Sequence, residues 1–270
     1  MRNPTPGLNL TAGQGRNAGM AEFPYANRTL CFGHRGASQV APENTLPAFQ
    51  KARELGADGV ELDVMLSQDG EVVVRHDFDL ERTTNGHGLV REHTLAELQA
   101  LDAGSWFGSQ FAGERMPTLH EVCAWAGQDA LLNVELKSVD LGDSGLEKKV
   151  VAIVREHGLQ RHVVFSSFNP FSIRRVKRID ASLHTGLLYA ADLPIYLSRA
   201  WLRPLARPDA LHPEYHMVSA AYMAWAKSQR YRVNVWTPDD ASDLQRLLAL
   251  QVDSIITNRP GALVALLKNS

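Results

Sequence analysis

From Thr29 onward, short β-branched or apolar runs alternate with longer stretches whose apolar residues recur at helical spacing. The strand-like runs are 30–34 (LCFGH), 58–63 (DGVELD), 131–137 (LLNVELK), 162–166 (HVVFS), 184–188 (HTGLL), 209–212 (DALH), 232–236 (RVNVW) and 253–257 (DSIIT). Helical periodicity falls between them, near 44–55, 118–127, 146–157, 170–179, 194–203, 219–229, 238–249 and 260–268. Several helices open on a capping residue or a first-turn proline: Asn44, Thr118, Asn169-Pro170, Thr237-Pro238 and Asn258-Arg259-Pro260. Repeated βαβ alternation demands a parallel sheet. Eight such units in about 240 residues predict an α/β fold, a (β/α)8 TIM barrel.

One run falls outside that count. Val72 to His76 is strand-like but follows the second strand after only Ser67-Gln68-Asp69-Gly70, a turn sequence. A turn centred between Gln68 and Asp69 sets Glu61 opposite His76 and returns the histidine to the level of Asp63. No helix follows directly. Residues 82–117 are too many, at roughly 35, for a simple strand-to-helix loop, so they are expected as a small insertion over the C-terminal face. The chain is thus expected to comprise a disordered leader, 1–24, and a single barrel domain, 25–270. The leader is rich in Gly, Asn, Pro and Thr and lacks the apolar stretch of a signal peptide. No run approaches the ~18 apolar residues of a transmembrane helix. A cytoplasmic location with no integral membrane segment is the resulting expectation.

Composition narrows the function by exclusion. Of 270 residues, 28 are Lys or Arg and 30 are Asp or Glu, a formal charge of −2. That balance lacks the basic excess of a nucleic-acid binder, so no nucleic-acid partner is expected. Two cysteines, Cys31 and Cys123, are too few for a disulfide scaffold or a four-cysteine zinc site, and their apolar contexts predict buried free thiols. Neither a Walker loop nor a G-x-G-x-x-G after a strand is present, which speaks against a nucleotide cofactor.

The chemistry concentrates where a barrel enzyme carries it, at the C-terminal ends of the strands. Those ends hold His34-Arg35-Gly36, Glu61-Leu62-Asp63, Glu135-Leu136-Lys137, Ser166-Ser167-Phe168, His212-Pro213 and Trp236-Thr237. Glu61 and Asp63 are two apart on a strand, so both face one side, about 6–7 Å apart at Cα. Val60, Leu62 and Val64 alternate with them, which fits an inward polar pair better than a solvated strand end. Asn133, Glu135 and Lys137 share the same alternation; a salt bridge between the last two is the simpler alternative. Three carboxylates converging on one mouth cannot all stay ionised without a cation. Oxygen donors favour one hard divalent ion, Mg²⁺ or Ca²⁺, over zinc. His34 and His76 close on the same mouth and suit an acid–base pair. Arg35 and Lys137 can neutralise an anionic oxygen. Phosphate-ester chemistry needs that combination of charge neutralisation, base and acid. His212, ending a strand, is ambiguous; the remaining histidines are expected to be structural.

With these residues assembled, the chain resembles the glycerophosphodiester phosphodiesterase family. The matching segments include Gly33-His34-Arg35-Gly36, Pro42-Glu43-Asn44-Thr45, Glu61-Leu62-Asp63-Val64, Val73-Val74-Arg75-His76-Asp77, Leu80-Glu81-Arg82-Thr83, Pro117-Thr118-Leu119, Asn133-Val134-Glu135-Leu136-Lys137, Val235-Trp236-Thr237 and Ile256-Thr257-Asn258-Arg259-Pro260. Each tetrapeptide is weak evidence; their order over about residues 30–262 is specific. The resemblance implies hydrolysis of small-molecule glycerophosphodiesters to glycerol 3-phosphate and an alcohol. It implies Glu61, Asp63 and Glu135 as metal ligands, His34 and His76 as general acid and base, and Arg35 and Lys137 on the phosphate. Trp236 and Phe168 become an apolar wall for the glycerol carbons, with barrel-rim packing as the alternative. Glu43 and Asn44 either orient His34 or cap the first helix. Pro238, after Trp236-Thr237, departs from the family's usual segment and reads as a helix start.

A lysophospholipase-D-like or sphingomyelinase-D-like phosphodiesterase on the same barrel is the nearest rival. Such sequences usually carry a reduced insertion and disulfides, and neither feature fits here. A catalytically silent binding barrel would be expected to lack a ligand or a histidine. An aldolase using Lys137 would need a neutral amine, which neighbouring carboxylates oppose.

Overall fold

The structure, a computed structural model, describes residues 25, 28–138, 142–194, 198 and 200–269. The leader expected at 1–24 lies outside the described residues. Eight parallel strands close into a barrel: β1 (Leu30–His34), β2 (Gly59–Leu66), β4 (Leu131–Leu136), β5 (Val163–Ser167), β6 (His184–Tyr189), β7 (Ala210–Pro213), β8 (Arg232–Trp236) and β9 (Ser254–Thr257). Pairing of β1 with both β9 and β2 completes the ring. The short β3 (Val72–Val74) hangs antiparallel on β2. The described helices are α1 (Leu46–Glu54), α2 (Leu95–Gln99), α3 (Leu119–Ala126), α4 (Leu146–Glu156), α5 (Pro170–Ile179), α6 (Arg203–Ala206), α7 (Ala220–Ser228), α8 (Ala241–Ala249) and α9 (Pro260–Lys268).

Alternation along the strands separates core from site. Val60, Leu62 and Val64 of β2, with Val134 and Leu136 of β4, are buried against Phe49 of α1, Leu119, Val122 and Cys123 of α3, and Val150 and Val154 of α4. Burial of each such side chain contributes about 1.5–3 kcal/mol, so the pleat that buries them also turns Glu61, Asp63 and Glu135 inward. Both cysteines are buried free thiols; burial pushes the Cys123 thiol up to about 12.

Helix starts follow capping chemistry, with two departures from expectation. Thr118 and Glu121 make a reciprocal capping box on α3: the Thr118 hydroxyl accepts from the Glu121 N–H at 3.2 Å, and the Glu121 carboxylate accepts from the Thr118 N–H at 2.8 Å. Asn169 caps α5 by accepting from the Phe171 N–H at 2.9 Å. Thr45, not Asn44, caps α1. Asn44 sits in the left-handed region at φ 58°, a conformation asparagine tolerates, and its amide serves another partner. α8 starts after Asp240, not at Thr237-Pro238. α9 begins on the expected first-turn proline, Pro260, with Arg259 at the cap position. Of the helix expected over 194–203, part lies outside the described residues, and the turn at α6 follows it.

The hairpin is shifted by one residue from the expected register. Val64 pairs with Val74, Met65 with Val73 and Leu66 with Val72. The turn therefore centres on Asp69. Its closing bonds run from the Ser67 N–H to the Glu71 carbonyl at 2.9 Å and from the Gly70 N–H to the Ser67 carbonyl at 3.0 Å. Gly70 has φ +81°, the left-handed residue that a three-residue hairpin loop demands. Beyond β3 the Arg75 N–H still reaches the Asp63 carbonyl at 2.9 Å, then the chain bends at residues 76–78. Between β3 and α3 the chain packs back on the hairpin through a small core of Met65, Val73, Leu80, Val90, Leu98 and Met116.

Candidate active site

At the mouth, one carboxylate oxygen each from Glu61, Asp63 and Glu135 lies within 4.8 Å of the others, and all three residues are buried. β2 pairs in register with β4, setting Asp63 beside Glu135. The backbone N–H of Arg35 donates to Glu61 at 2.9 Å, and the Asn44 amide donates to Asp63 at 2.9 Å. Lys137 Nζ stands 3.1 Å from Glu135 and 3.5 Å from Asp63; Arg35 Nε is 3.5 Å from Asp63.

These placements pull the acids apart electrostatically. Burial, then repulsion from Asp63 and Glu135, raises Glu61 well above the usual carboxylate range. Burial also carries Glu135 to about 7, with Lys137 opposing and Asp63 reinforcing the rise. Burial would raise Asp63 too, but Lys137 and Arg35 hold it down at about 2. Desolvation would lower Lys137, yet Glu135 and Asp63 overcome it and raise its pKa, so the ammonium stays charged. A charged ammonium opposes the amine nucleophilicity that a Schiff base needs. Buried, mutually repelling oxygen donors with no sulfur or imidazole among them suit a hard divalent cation.

The two histidines differ in their partners. Nδ1 of His34 lies 2.7 Å from the Asn258 side-chain oxygen. The Asn258 amide nitrogen donates to Asp239 at 2.7 Å, and Asp239 also accepts from the Asn258 backbone N–H at 2.9 Å and the Thr257 hydroxyl at 2.8 Å. A carboxylate only accepts, so this network fixes the amide orientation. An amide oxygen likewise only accepts, so Nδ1 of His34 carries the proton and Nε2 is left with a lone pair. Nε2 lies 3.9 Å from Glu61. Burial, then the Arg35 charge, lowers His34 to about 4, with the Asn258 bond opposing.

His76 turns Nδ1 to Asp77 at 2.7 Å. It reaches the acid cluster through the bend after β3 rather than by strand pairing, and its charge is felt at Asp63. Burial lowers its pKa, with Asp63 and Asp77 opposing. Asp77 accepts from Arg82 Nε at 2.5 Å, and Arg82 pairs with Glu43 at 2.7 and 2.9 Å. Glu43 in turn accepts from Arg35 at 2.8 Å. Glu43 and Asn44 thus serve Arg35 and Asp63 respectively, instead of orienting His34 or capping α1.

On the far side of the mouth, Phe168 and Trp236 meet edge-to-face with ring centroids 5.5 Å apart. The Trp236 indole N–H is anchored on the His212 carbonyl at 2.8 Å. His212 itself is fully buried beneath them. Its Nε2 is 2.8 Å from the Asn234 amide, and burial lowers its pKa to about 3, so it is a neutral interior ring. Sequence reasoning missed Asn258, Asp239, Asp77 and Arg82 as partners. Asp77 adjoins His76, and Asn258 falls within a matching segment, so each carried some signal; Asp239 carried none.

Residues 34–262 match the glycerophosphoryl diester phosphodiesterase family. A glycerophosphodiester phosphodiesterase of Caldanaerobacter subterraneus subsp. tengcongensis is 43% identical over 244 residues, spanning 89% of this chain and 98% of that protein. Another, from Bacillus subtilis, is 33% identical over 249 residues, 87% of this chain and 85% of its own. An Oleispira antarctica phosphodiesterase solved with the product sn-glycerol-3-phosphate superposes with a TM-score of 0.77 and 33% identity, covering 89% of this chain and 97% of that one. Fold and likeness together define a TIM-barrel phosphoric diester hydrolase. More narrowly, the chain belongs to the glycerophosphoryl diester phosphodiesterase family. No described helix is long and apolar enough to cross a membrane.

Proposed function

We propose that the chain hydrolyses glycerophosphodiesters to sn-glycerol 3-phosphate and an alcohol, with His34 as general base and His76 as general acid. The observation that carries this reading is the unequal partnering of the two rings around one acidic cluster. His34 has a neutral amide behind it, and burial with the Arg35 charge outweighs the nearby groups that favour imidazolium. A ring held neutral with its Nε2 lone pair toward the mouth is poised to accept a proton. His76 has the Asp77 carboxylate behind it, which favours the charged, proton-donating form.

Arg35 and Lys137 flank the acids and bind the non-bridging phosphate oxygens. Their charge meets the negative charge that accumulates on phosphorus in the transition state. His34 takes the proton of the attacking hydroxyl. Water gives glycerol 3-phosphate directly, whereas the substrate's own glycerol hydroxyl gives a cyclic phosphate. Water then opens that ring to glycerol 3-phosphate, with His76 as base and His34 as acid in the second step. His76 gives a proton to the oxygen of the departing alcohol as the P–O bond breaks. Phe168 and Trp236 pack against the glycerol carbons and exclude water from that flank. Glu61, Asp63 and Glu135 would hold one divalent cation, Mg²⁺ or Ca²⁺, which when bound supplies charge neutralisation at the phosphate. The substrate is a small molecule, and the setting proposed is the cytoplasm.

The test is release of glycerol 3-phosphate from glycerophosphocholine by metal-stripped protein to which Mg²⁺ or Ca²⁺ is restored, with Glu61→Gln and His76→Ala as controls. Metal-dependent release lost in both variants is the expected result. Folded, metal-binding protein that releases nothing from any glycerophosphodiester would overturn the reading.

A further inference from the structure

Beside the acid cluster lies a second concavity, a cleft of about 330 Å³ that shares Lys137 with the site. Its walls are Met65 and Leu66 from the end of β2, Phe78, Leu89 and Val90 from the chain after the hairpin, and Leu146 from the start of α4. The Val90 N–H donates to the Phe78 carbonyl at 2.9 Å and Asp79 bridges Leu89, so one wall is a braced two-stranded edge. Phe78 keeps 40% of its surface exposed. Charge at the cleft comes from Lys137 and Arg91, both cationic; among the described residues that line it there is no carboxylate. The volume falls within the range of small-molecule sites, and apolar walls with few polar groups are their usual make-up.

A phosphodiester has two substituents, and the mouth has two flanks. The Phe168–Trp236 pair stands on one flank. The cleft adjoins the site at Lys137, and Phe78 follows His76 by two residues in the chain. We infer that this cleft is the subsite for the leaving alcohol and that it selects uncharged alkyl or aryl alcohols over the cationic amino-alcohols choline and ethanolamine. The inference rests on the proposed function, since it places the departing oxygen at the acid His76. Lys137 and Arg91 repel an ammonium group there, and a single aromatic ring is no cage for one. Apolar walls reward each methylene added to the alcohol instead.

The experiment is a series of glycerophosphodiesters of methanol, butanol and hexanol beside glycerophosphocholine. The alkanols have closely similar leaving-group basicity, so differences along the series report binding. kcat/KM should rise about fourfold per methylene until the cleft is filled, and the hexyl diester should surpass the choline diester. Phe78→Asp, at an exposed position outside the catalytic groups, should flatten the series at least tenfold at hexyl and raise the choline diester. Leu89→Asp, with thermal unfolding measured alongside, is the second variant. A flat alkyl series, or a choline diester favoured by the wild type, would overturn the inference. Were no diester cleaved, the proposed function would fail first. The cleft would then be judged by equilibrium binding of the hexyl and methyl diesters, and equal affinities would refute it.

Discussion

Asn258→Leu isolates what the amide behind His34 contributes. The substitution keeps bulk but removes the acceptor of the His34 Nδ1–H and the Ser38 hydroxyl, together with the donor to Asp239. Asp239 retains the Thr257 hydroxyl and the residue-258 backbone N–H. Three hydrogen bonds at a half-buried site are lost, about 3 kcal/mol, or roughly 6–12 °C in Tm for a chain of this size. The kinetic loss is separate. Without its acceptor, His34 can take the other tautomer, with the proton on Nε2 and no lone pair toward the mouth, or rotate away. General-base catalysis contributes about 10²–10⁴-fold, and a displaced tautomer forfeits most of it, so kcat should fall about 100-fold or more with KM little changed. Metal-saturated enzyme assayed with glycerophosphocholine gives the rate. Nitrogen-15 NMR of the His34 ring gives the tautomer, which a merely structural role would leave unmoved. The double variant Asn258→Asp with Asp239→Asn keeps both bonds and the net charge but sets a carboxylate behind His34. It should therefore restore the Nδ1-protonated tautomer while moving the acidic limb of the rate profile to higher pH. A kcat within threefold of wild type in Asn258→Leu, or an unchanged Nδ1-protonated ring, would refute the reasoning.

Arg82 ties Asp77 to Glu43, and so couples the settings of His76 and Arg35. Arg82→Gln should lower kcat about tenfold while moving Tm by under about 2 °C, because exposed ion pairs contribute little stability; a large Tm loss with kcat intact would contradict it. Glu135 is raised in the folded chain to about 7, so it contributes stability that is present below its unfolded value and is lost as pH rises through about 7. Metal-stripped protein should thus melt lower at pH 8 than at pH 5.5. Glu135→Gln should reduce that slope, and a saturating divalent cation should remove most of it, as differential scanning calorimetry can report. A Cβ at Gly186 would clash with the His212 ring inside the barrel. Gly186→Ala should destabilise by about 1–3 kcal/mol through overpacking, and an unchanged denaturation midpoint would show that His212 moves freely.

The alternation of Val60, Leu62 and Val64 with Glu61 and Asp63 sufficed to turn two carboxylates into a barrel, and Asn133-Val134-Glu135-Leu136 added the third by the same rule. A period of two is a local property of the strand, so the sequence by itself determined the acid cluster, and with it the strand-end positions of His34 and Lys137. The count of βα units determined the barrel for the same reason. What faces each ring of the histidine pair was decided only in three dimensions. Asn258 and Asp239 reach His34 because β9 closes against β1 more than two hundred residues from the first strand, a contact no local pattern encodes. The hairpin register turned on whether Gly70 was the left-handed residue of a three-residue loop, a choice between near-equal local options that a one-residue shift leaves invisible in composition. His76 then entered the mouth through a bend instead of a pleat, and Asn44 left its expected cap to hold Asp63. For Asn44, the buried charge of Asp63 needing a partner outweighed a local capping preference worth about 1 kcal/mol.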